Sequence, residues 1–220
     1  NRLANEANFP FVISNITCNK CNLDSDNIKP YIIKEIDGIK VGILGIINTA
    51  IPDLTSSVNI KGIEFENSIK SLEKWVSFLK NKNVDSIIVL TSSGIPWDRE
   101  EEYAELDRKV NQNLIDPYDT DFNSLGLGRF ADDIDIVISG GVSKGYNLPW
   151  YDPYTHVYIF QNYGNGTGFG HFEMKFNSEA KIFEGYRPMV DGKVGQTLLE
   201  DDFDFDLSEL DRIQLGNNIA

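Results

Sequence analysis

Histidine is nearly absent from this chain: His156 and His171 are the only two in 220 residues. A metal centre built on imidazoles therefore has little to draw on. Both residues fall at or in predicted strands and read first as hydrogen-bonded structural histidines, with a joint place in one rim site as the alternative. Basic side chains are scarce too. Against 34 acidic residues stand 20 Lys and Arg, for a net charge of -14, and a binder of phosphate backbones needs the opposite balance. Nucleic acid is thus not an expected partner. No run of about 18 apolar residues occurs, so no membrane-spanning helix is expected. A start Met and a charged-then-apolar leader are also lacking. The opening Asn1-Arg2-Leu3-Ala4-Asn5-Glu6 reads as the tail of a helix, which suggests a processed or truncated product. Cysteine is limited to Cys18 and Cys21. Two thiols make half of a tetrahedral zinc site, and no Cys or His lies nearby to complete it. A local disulfide in an oxidising compartment is expected, with two idle thiols as the alternative.

The hydrophobic share of 41% and aromatic share of 11% are enough for a packed core, so wholesale disorder is excluded. The length suits one domain, or one domain with an appendage. Strands are predicted over residues 9–14, 31–36, 40–46, 86–91, 134–138, 157–161, 170–176 and 182–186, from β-branched and aromatic runs bounded by turn residues. Asp37-Gly38 between two of them signals a tight hairpin. Ile69, Leu72, Trp75, Val76 and Leu79 recur at three- and four-residue spacing and predict an amphipathic helix over 66–82. A charged helix is predicted over 98–114, and residues 115–128 read as an inserted loop. Buried strands flanked by helices and followed by hairpins imply a layered α/β or α+β domain with mixed sheets. That domain is assigned to residues 1–190, and the acidic stretch 191–220 to a linker or surface helix.

The chain is organised around Asp132 to Tyr146. A short buried strand there empties into Gly140-Gly141, and the next side chains stand at the C-terminal rim of a sheet, where α/β proteins bind ligands. Elsewhere, the glycine-dense stretch Gly164 to Gly170 has no following Lys-Ser/Thr and no helix signal, so it reads as a turn rather than a phosphate loop. The acidic run Asp98 to Glu102 reads as a solvated helix start stabilised by the helix dipole, with carboxylate ligands near Ser92 as the alternative. Tyr146, Trp150, Tyr151 and Tyr154 form an aromatic cluster suited to loop packing or to stacking on a base or sugar. Asn15-Ile16-Thr17 and Asn165-Gly166-Thr167 match glycosylation sequons, triplets that arise readily by chance in an Asn-rich chain.

Four stretches, in this order, carry a resemblance. They are Asn8 to Ile16, the hairpin Lys29 to Ile46, the strand Ser86 to Thr91 with Ser92-Ser93-Gly94, and Asp135 to Gly141. Together they resemble the calcineurin-type metallophosphoesterase domain of the 5'-nucleotidase family over roughly residues 1–186. The resemblance implies a metallophosphoesterase-like β-sandwich flanked by helices, here lacking its N-terminal strands. Enzymes of that family hold two metal ions through N-terminal Asp, His and Asn ligands and three later histidines. The N-terminal ligands would lie before Asn1. The later three would fall at Ser92, Val142 and Lys144, none of which is histidine.

A valine offers a metal no lone pair and an ammonium repels one. No catalytic or metal-ligating residue is therefore assigned and no cofactor is expected from this segment; a divalent pair (Zn, Mn or Fe) belongs to the alternative of an active phosphohydrolase completed by upstream ligands. The residues expected to bind are Ser92, Ser93, Gly140, Gly141, Ser143, Lys144, Tyr163 and Asn165. Their expected ligand is a nucleotide or other phosphate-bearing small molecule, and the expected protein partner is the N-terminal part of the same protein. A third reading is an extracellular interaction module. The resemblance implies a periplasmic, secreted or cell-surface location.

Overall fold

The computed structural model describes residues 2–21, 23, 25–188 and 193–198. In chain order the elements are α1 (Arg2–Glu6), β1 (Phe11–Val12), β2 (Ile16–Cys18), β3 (Ile28–Lys29), β4 (Tyr31–Ile36), β5 (Ile39–Ile46), α2 (Ile51–Leu54), β6 (Ile63–Phe65), α3 (Ser68–Lys80), β7 (Ser86–Thr91), α4 (Arg99–Asn111), α5 (Ser124–Phe130), β8 (Ile136–Ser139), β9 (Trp150–Tyr151), β10 (Tyr158–Gln161), β11 (Gly168–His171), β12 (Glu173–Asn177), β13 (Ile182–Arg187) and β14 (Gly195–Leu198).

A six-stranded sheet in the order β4-β5-β7-β8-β10-β9 forms the centre. β5, β7, β8 and β10 run parallel, while β4 and β9 close the edges antiparallel. Strands of parallel sheets are commonly covered on both faces, and β7 accordingly reads as a continuous Ser-Ile-Ile-Val-Leu-Thr run, although its Leu90 is exposed here. This is a mixed α/β architecture with a central sheet flanked by helices.

One face packs on helices. Leu44, Ile46, Ile87, Val89, Val137 and Ile159 meet Ile69, Leu72, Val76 and Leu79 of α3 and Leu125 and Leu127 of α5 in one cluster. Each of these side chains contributes about 1.5–3 kcal/mol when taken fully from water. α3 begins two residues later than its periodicity predicts because Asn67 caps it. The Asn67 side chain accepts from the backbone N–H of Ile69 and Lys70 at 3.0 and 3.1 Å.

α5 corrects the inserted loop predicted over 115–128. Its sequence, Ser-Leu-Gly-Leu-Gly-Arg-Phe, carries two glycines that speak against a helix. Packing overrides propensity here: a Cβ on Gly128 would stand 2.7 Å from Ile159 Cδ1, so only glycine lets the helix lie this close to the sheet. Asn123 caps the start through the N–H groups of Leu125 and Gly126.

The other face carries two rows set by strand register. One runs Ile43, Ile88, Ile136, Tyr158, and the next Gly45, Leu90, Ile138, Phe160. The β12–β13 hairpin covers the β8–β10 end of these rows through Met174, Phe183 and Tyr186, together with Phe172 just before it. The single strand predicted over 170–176 is in fact two, because Phe172 leaves the ribbon to stack on Phe160 at 3.9 Å. β11 then pairs with β14 and β12 with β13. β14 lies within the stretch read from sequence as an acidic linker, and residues 199–220 of that stretch are outside the described ones.

Near the N-terminus, the strand predicted over 9–14 shortens to Phe11–Val12 because Ser14 changes its pairing. Its N–H donates to Gly45 O at 2.6 Å, while its hydroxyl accepts from Gly45 N and donates to Pro30 O. Cys18 and Cys21 are joined by the expected disulfide at the end of β2, their Cα atoms 5.3 Å apart.

Candidate functional site

Because β5, β7, β8 and β10 are parallel, their C-terminal ends share one edge, the position where open α/β sheets bind ligands. Four loops leave that edge. Ile47 and Asn48 follow β5; the loop after β7 carries Ser92, Ser93 and Gly94; the loop after β8 carries Gly140 to Lys144; Asn162 to Gly164 follow β10.

These loops interlock. Gly141 has φ 88°, and a Cβ there would overlap the carbonyl oxygen of Ser92. The Val142 side chain in turn lies against Gly94, where a Cβ would overlap its Cγ2. Val142 thus fills the space between two loops as an apolar plug. Ser92 Oγ accepts from Asn48 N at 3.2 Å, which ties the β5 end to the same edge. Gly164 N donates to Ser143 O at 3.0 Å and brings in the β10 loop.

Beneath the loops sits Gln161, buried at the end of β10. Its Oε1 accepts from Ile95 N at 2.6 Å and from Ser139 Oγ at 2.9 Å, and its Nε2 donates to Lys144 O at 2.6 Å. One amide therefore pins the β7 loop, the β8 end and the backbone of Lys144. Sequence reasoning passed over it, although a signal existed: Ile159 and Gln161 are two residues apart in a strand and share the helix-packed face.

Lys144 does not hang free in solvent. Its Nζ lies 5.1 Å from the Trp97 ring centroid and 5.2 Å from that of Tyr146. The Arg99 guanidinium sits 4.2 Å from the Tyr146 ring, so two cations share one aromatic. Tyr146 is fixed by its hydroxyl, which donates to Pro96 O at 2.6 Å, and burial pushes its pKa up. Beside them the Arg99 hydrogen bond holds the Glu100 carboxyl below the usual carboxylate range, with Lys144 adding a smaller pull.

Of the residues singled out from sequence, the interlocked loops unite Ser92, Gly141, Ser143 and Lys144, with Ser93, Gly140 and Tyr163 as their immediate chain neighbours. Asn165 is not part of this interlock. It forms the tip of the turn after β10 with φ 63°, followed by Gly166 at φ 66°. The glycine-dense stretch is thus a tight turn leading into β11. His156 pairs through Nδ1 with the Tyr151 hydroxyl at 2.7 Å and His171 lies on β11 opposite Gly195.

Among the described residues no group of three His, Cys, Asp or Glu side chains is placed to hold a metal ion. The rim side chains are a hydroxyl, an apolar plug and an ammonium, a donor set that does not fit a divalent pair. No described helix is long and apolar enough to cross a membrane.

No family model matches this chain. It is 28% identical over 203 residues to an apyrase of Anopheles gambiae, covering 85% of this chain and 32% of that protein. It is 26% identical over 174 residues to the cell wall protein Lmo0130 of Listeria monocytogenes, covering 74% of this chain and 20% of that one. Its fold is similar to the calcineurin-like phosphoesterase YfkN of Bacillus subtilis, with a TM-score of 0.66 at 16% identity over 96% of this chain and 63% of that one. The NAD nucleotidase of Haemophilus influenzae gives 0.64 at 15% identity, over 98% of this chain and 47% of that one. The fold is that of 5'-nucleotidase and calcineurin-like phosphoesterase chains, and this chain spans less than a third of either sequence relative.

Proposed function

We propose that this chain is the C-terminal part of a 5'-nucleotidase-like metallophosphoesterase domain whose metal site has degenerated, and that it binds a phosphate-bearing ligand rather than hydrolysing one. The observation that carries this reading is Lys144. Its ammonium is held between Trp97 and Tyr146 at the rim, in the loop that also presents Ser143 and that locks onto Ser92. A fixed ammonium binds phosphate as a point charge, and Ser92, Ser93 and Ser143 add hydroxyl donors, without a metal ion. Val142, packed onto Gly94, supports the loss of metal because it closes the gap with carbon.

The reading is tested on the full-length protein by calorimetric titration of inorganic phosphate and AMP with chelator present. Binding is expected, and Lys144→Ala should weaken it by about 1.5–3 kcal/mol, the range for a hydrogen bond to a charged group. Binding indifferent to that change, or no binding, leaves Lys144 as a packed surface lysine.

The likeness to an apyrase favours a second reading, an active phosphohydrolase with strong ligands supplied from outside these residues. Near-stoichiometric Zn, Mn or Fe in the purified full-length protein, together with nucleotide turnover, would establish it. The likeness to a cell wall protein and the Cys18–Cys21 bond support a periplasmic, secreted or surface location, and a display module in that setting is the third reading.

A further inference from the structure

Asn165-Gly166 is the only Asn-Gly pair in the 220 residues, and it stands at the tip of the turn between β10 and β11. Asn165, Gly166 and Thr167 are all exposed, and a Cβ on Gly166 would meet nothing within 4 Å. Neither the Asn165 carboxamide nor the Gly166 N–H makes a hydrogen bond among the described residues. Where Asn precedes serine, the next smallest residue to follow one in this chain, the setting differs. Asn67 and Asn123 cap α3 and α5 through their side-chain oxygens, and Asn177 accepts from Glu179 N and Ala180 N. Those carboxamides are held in place. That of Asn165 is not.

We propose that Asn165 is a site of spontaneous covalent modification, at which the side-chain amide becomes a carboxylate without an enzyme. The Gly166 nitrogen gives up its proton to solvent base and attacks Cγ of Asn165, closing a five-membered succinimide. The Nδ2 group takes up a proton and leaves as ammonia. Water then opens the ring at either carbonyl, which yields aspartate or isoaspartate; nothing is oxidised or reduced, and water is the one co-reactant. The attack needs a backbone nitrogen with no side chain crowding it and no hydrogen bond to give up, and glycine meets the first condition. Asn165 and Gly166 have φ of 63° and 66°, the left-handed pair for which tight turns select Asn-Gly. The sequence that suits the turn is thus also the sequence that suits the reaction.

This turn reaches the rim. Thr167 donates twice to Gly164 O, from N at 3.4 Å and from Oγ1 at 3.0 Å, while Gly164 N donates to Ser143 O. Isoaspartate carries the main chain through the former side chain and adds a methylene between Gly164 and Thr167, so that closure must change. Either product also adds a negative charge beside the loop that holds Lys144. The loop after β8 is therefore expected to loosen as the protein ages. None of this rests on the phosphate reading.

The full-length protein is incubated folded at mildly alkaline pH, beside a sample unfolded in guanidinium chloride. Both are then mapped by mass spectrometry after isoaspartate methyltransferase labelling. In the folded sample Asn165 should convert before any other Asn, mostly to isoaspartate, with one ammonia released for each chain converted. Asn165→Gln, whose longer side chain closes a ring far more slowly, should remove that ammonia and that label and leave thermal unfolding unchanged. Hydrogen exchange at Gly164 N should quicken in the converted protein and stay as before in the Gln variant. If Asn165 keeps its amide in the folded protein while the unfolded chain converts, or if another Asn converts first, the proposal is overturned. Conversion with unchanged exchange at Gly164 would keep the modification site and remove its effect on the rim.

Discussion

The α-carbon of Gly141 lies so close to the carbonyl oxygen of Ser92 that no side chain fits between them. This contact sets the spacing of the two central loops, and the φ of 88° at Gly141 belongs to the region where L side chains are strained. Gly141→Ala must both strain that backbone and push the β7 loop aside. A loss of about 2–4 kcal/mol is expected, the sum of a left-handed φ and a steric clash. Urea unfolding would record it as a lower midpoint at an unchanged slope. An alanine variant of wild-type stability would mean that the loops do not interlock.

Gln161 makes a second prediction at the same rim. Its side chain bonds Ile95 N, Ser139 Oγ and Lys144 O from a buried position. Gln161→Leu keeps the volume but orphans the Ile95 N–H and the Lys144 carbonyl, at about 1–3 kcal/mol for each buried group left unsatisfied. Hydrogen exchange should speed at Ile95 more than at Val89 in the sheet centre. Uniform protection across both would show that the amide does not pin the loops.

What the sequence disclosed divides along local and non-local lines. β7 is legible to the residue, since Ser86 to Thr91 is a β-branched run closed by a Ser-Ser-Gly turn. The α3 stripe is equally plain, and only its capping by Asn67 shifts the start. α5 is hidden because its glycines answer to Ile159, a residue of another element, and not to helix propensity. The division of 168–177 into β11 and β12 depends on Phe172 stacking with Phe160, again a distant partner. At the rim, Gly140-Gly141 announced the turn, but the role of Val142 as a plug and of Trp97 and Tyr146 as a cradle for Lys144 needs the loops in three dimensions.

Asp135 supplies a pH dependence. Burial raises its carboxyl pKa, and the hydrogen bonds from Ser86 Oγ at 2.6 Å and Ile87 N at 3.0 Å offset only part of that. A carboxyl with a folded pKa above its unfolded one binds protons more readily in the folded state, so it lowers stability as pH rises from the unfolded value through the folded one. Asp135→Asn keeps an oxygen acceptor for both donors and removes the buried charge. The variant should gain stability at pH 7 relative to the parent and lose that advantage toward pH 4. A gain that stays constant across this range would assign the effect to packing rather than to ionisation.

The Cys18–Cys21 bond closes a loop of only a few residues. Chain-entropy arguments place the stabilisation from so short a loop below the roughly 3 kcal/mol of a 15-residue one. Thiol titration of the unreduced protein is expected to find no free thiol, and reductant should lower the melting temperature slightly while β7 and β8 stay folded. Two reactive thiols in the native, unreduced protein would remove the support this bond gives to an oxidising compartment.

The last prediction concerns the sheet face turned away from the helices. The β12–β13 hairpin covers its β8–β10 end, but Leu90 and Ile138, neighbours in register, remain 39% exposed each. Large apolar side chains paired on an open sheet face are uncommon in a lone domain and invite association. Together with a hollow of about 410 Å³ bounded by Val12, Leu90, Ile138 and Gly141, they give this face the character of a half-built core. The 220 residues expressed alone should therefore self-associate, and Leu90→Lys with Ile138→Lys should reduce that association. In the full-length protein the same pair should destabilise, by about 2–5 kcal/mol for each large side chain lost from a core and more if the ammonium groups cannot reach water. Analytical ultracentrifugation of the segment and chemical unfolding of the full-length protein test the two halves separately. A monomeric segment whose lysine variant behaves like the parent, or a full-length protein indifferent to both substitutions, would mean that water is the native neighbour of this face.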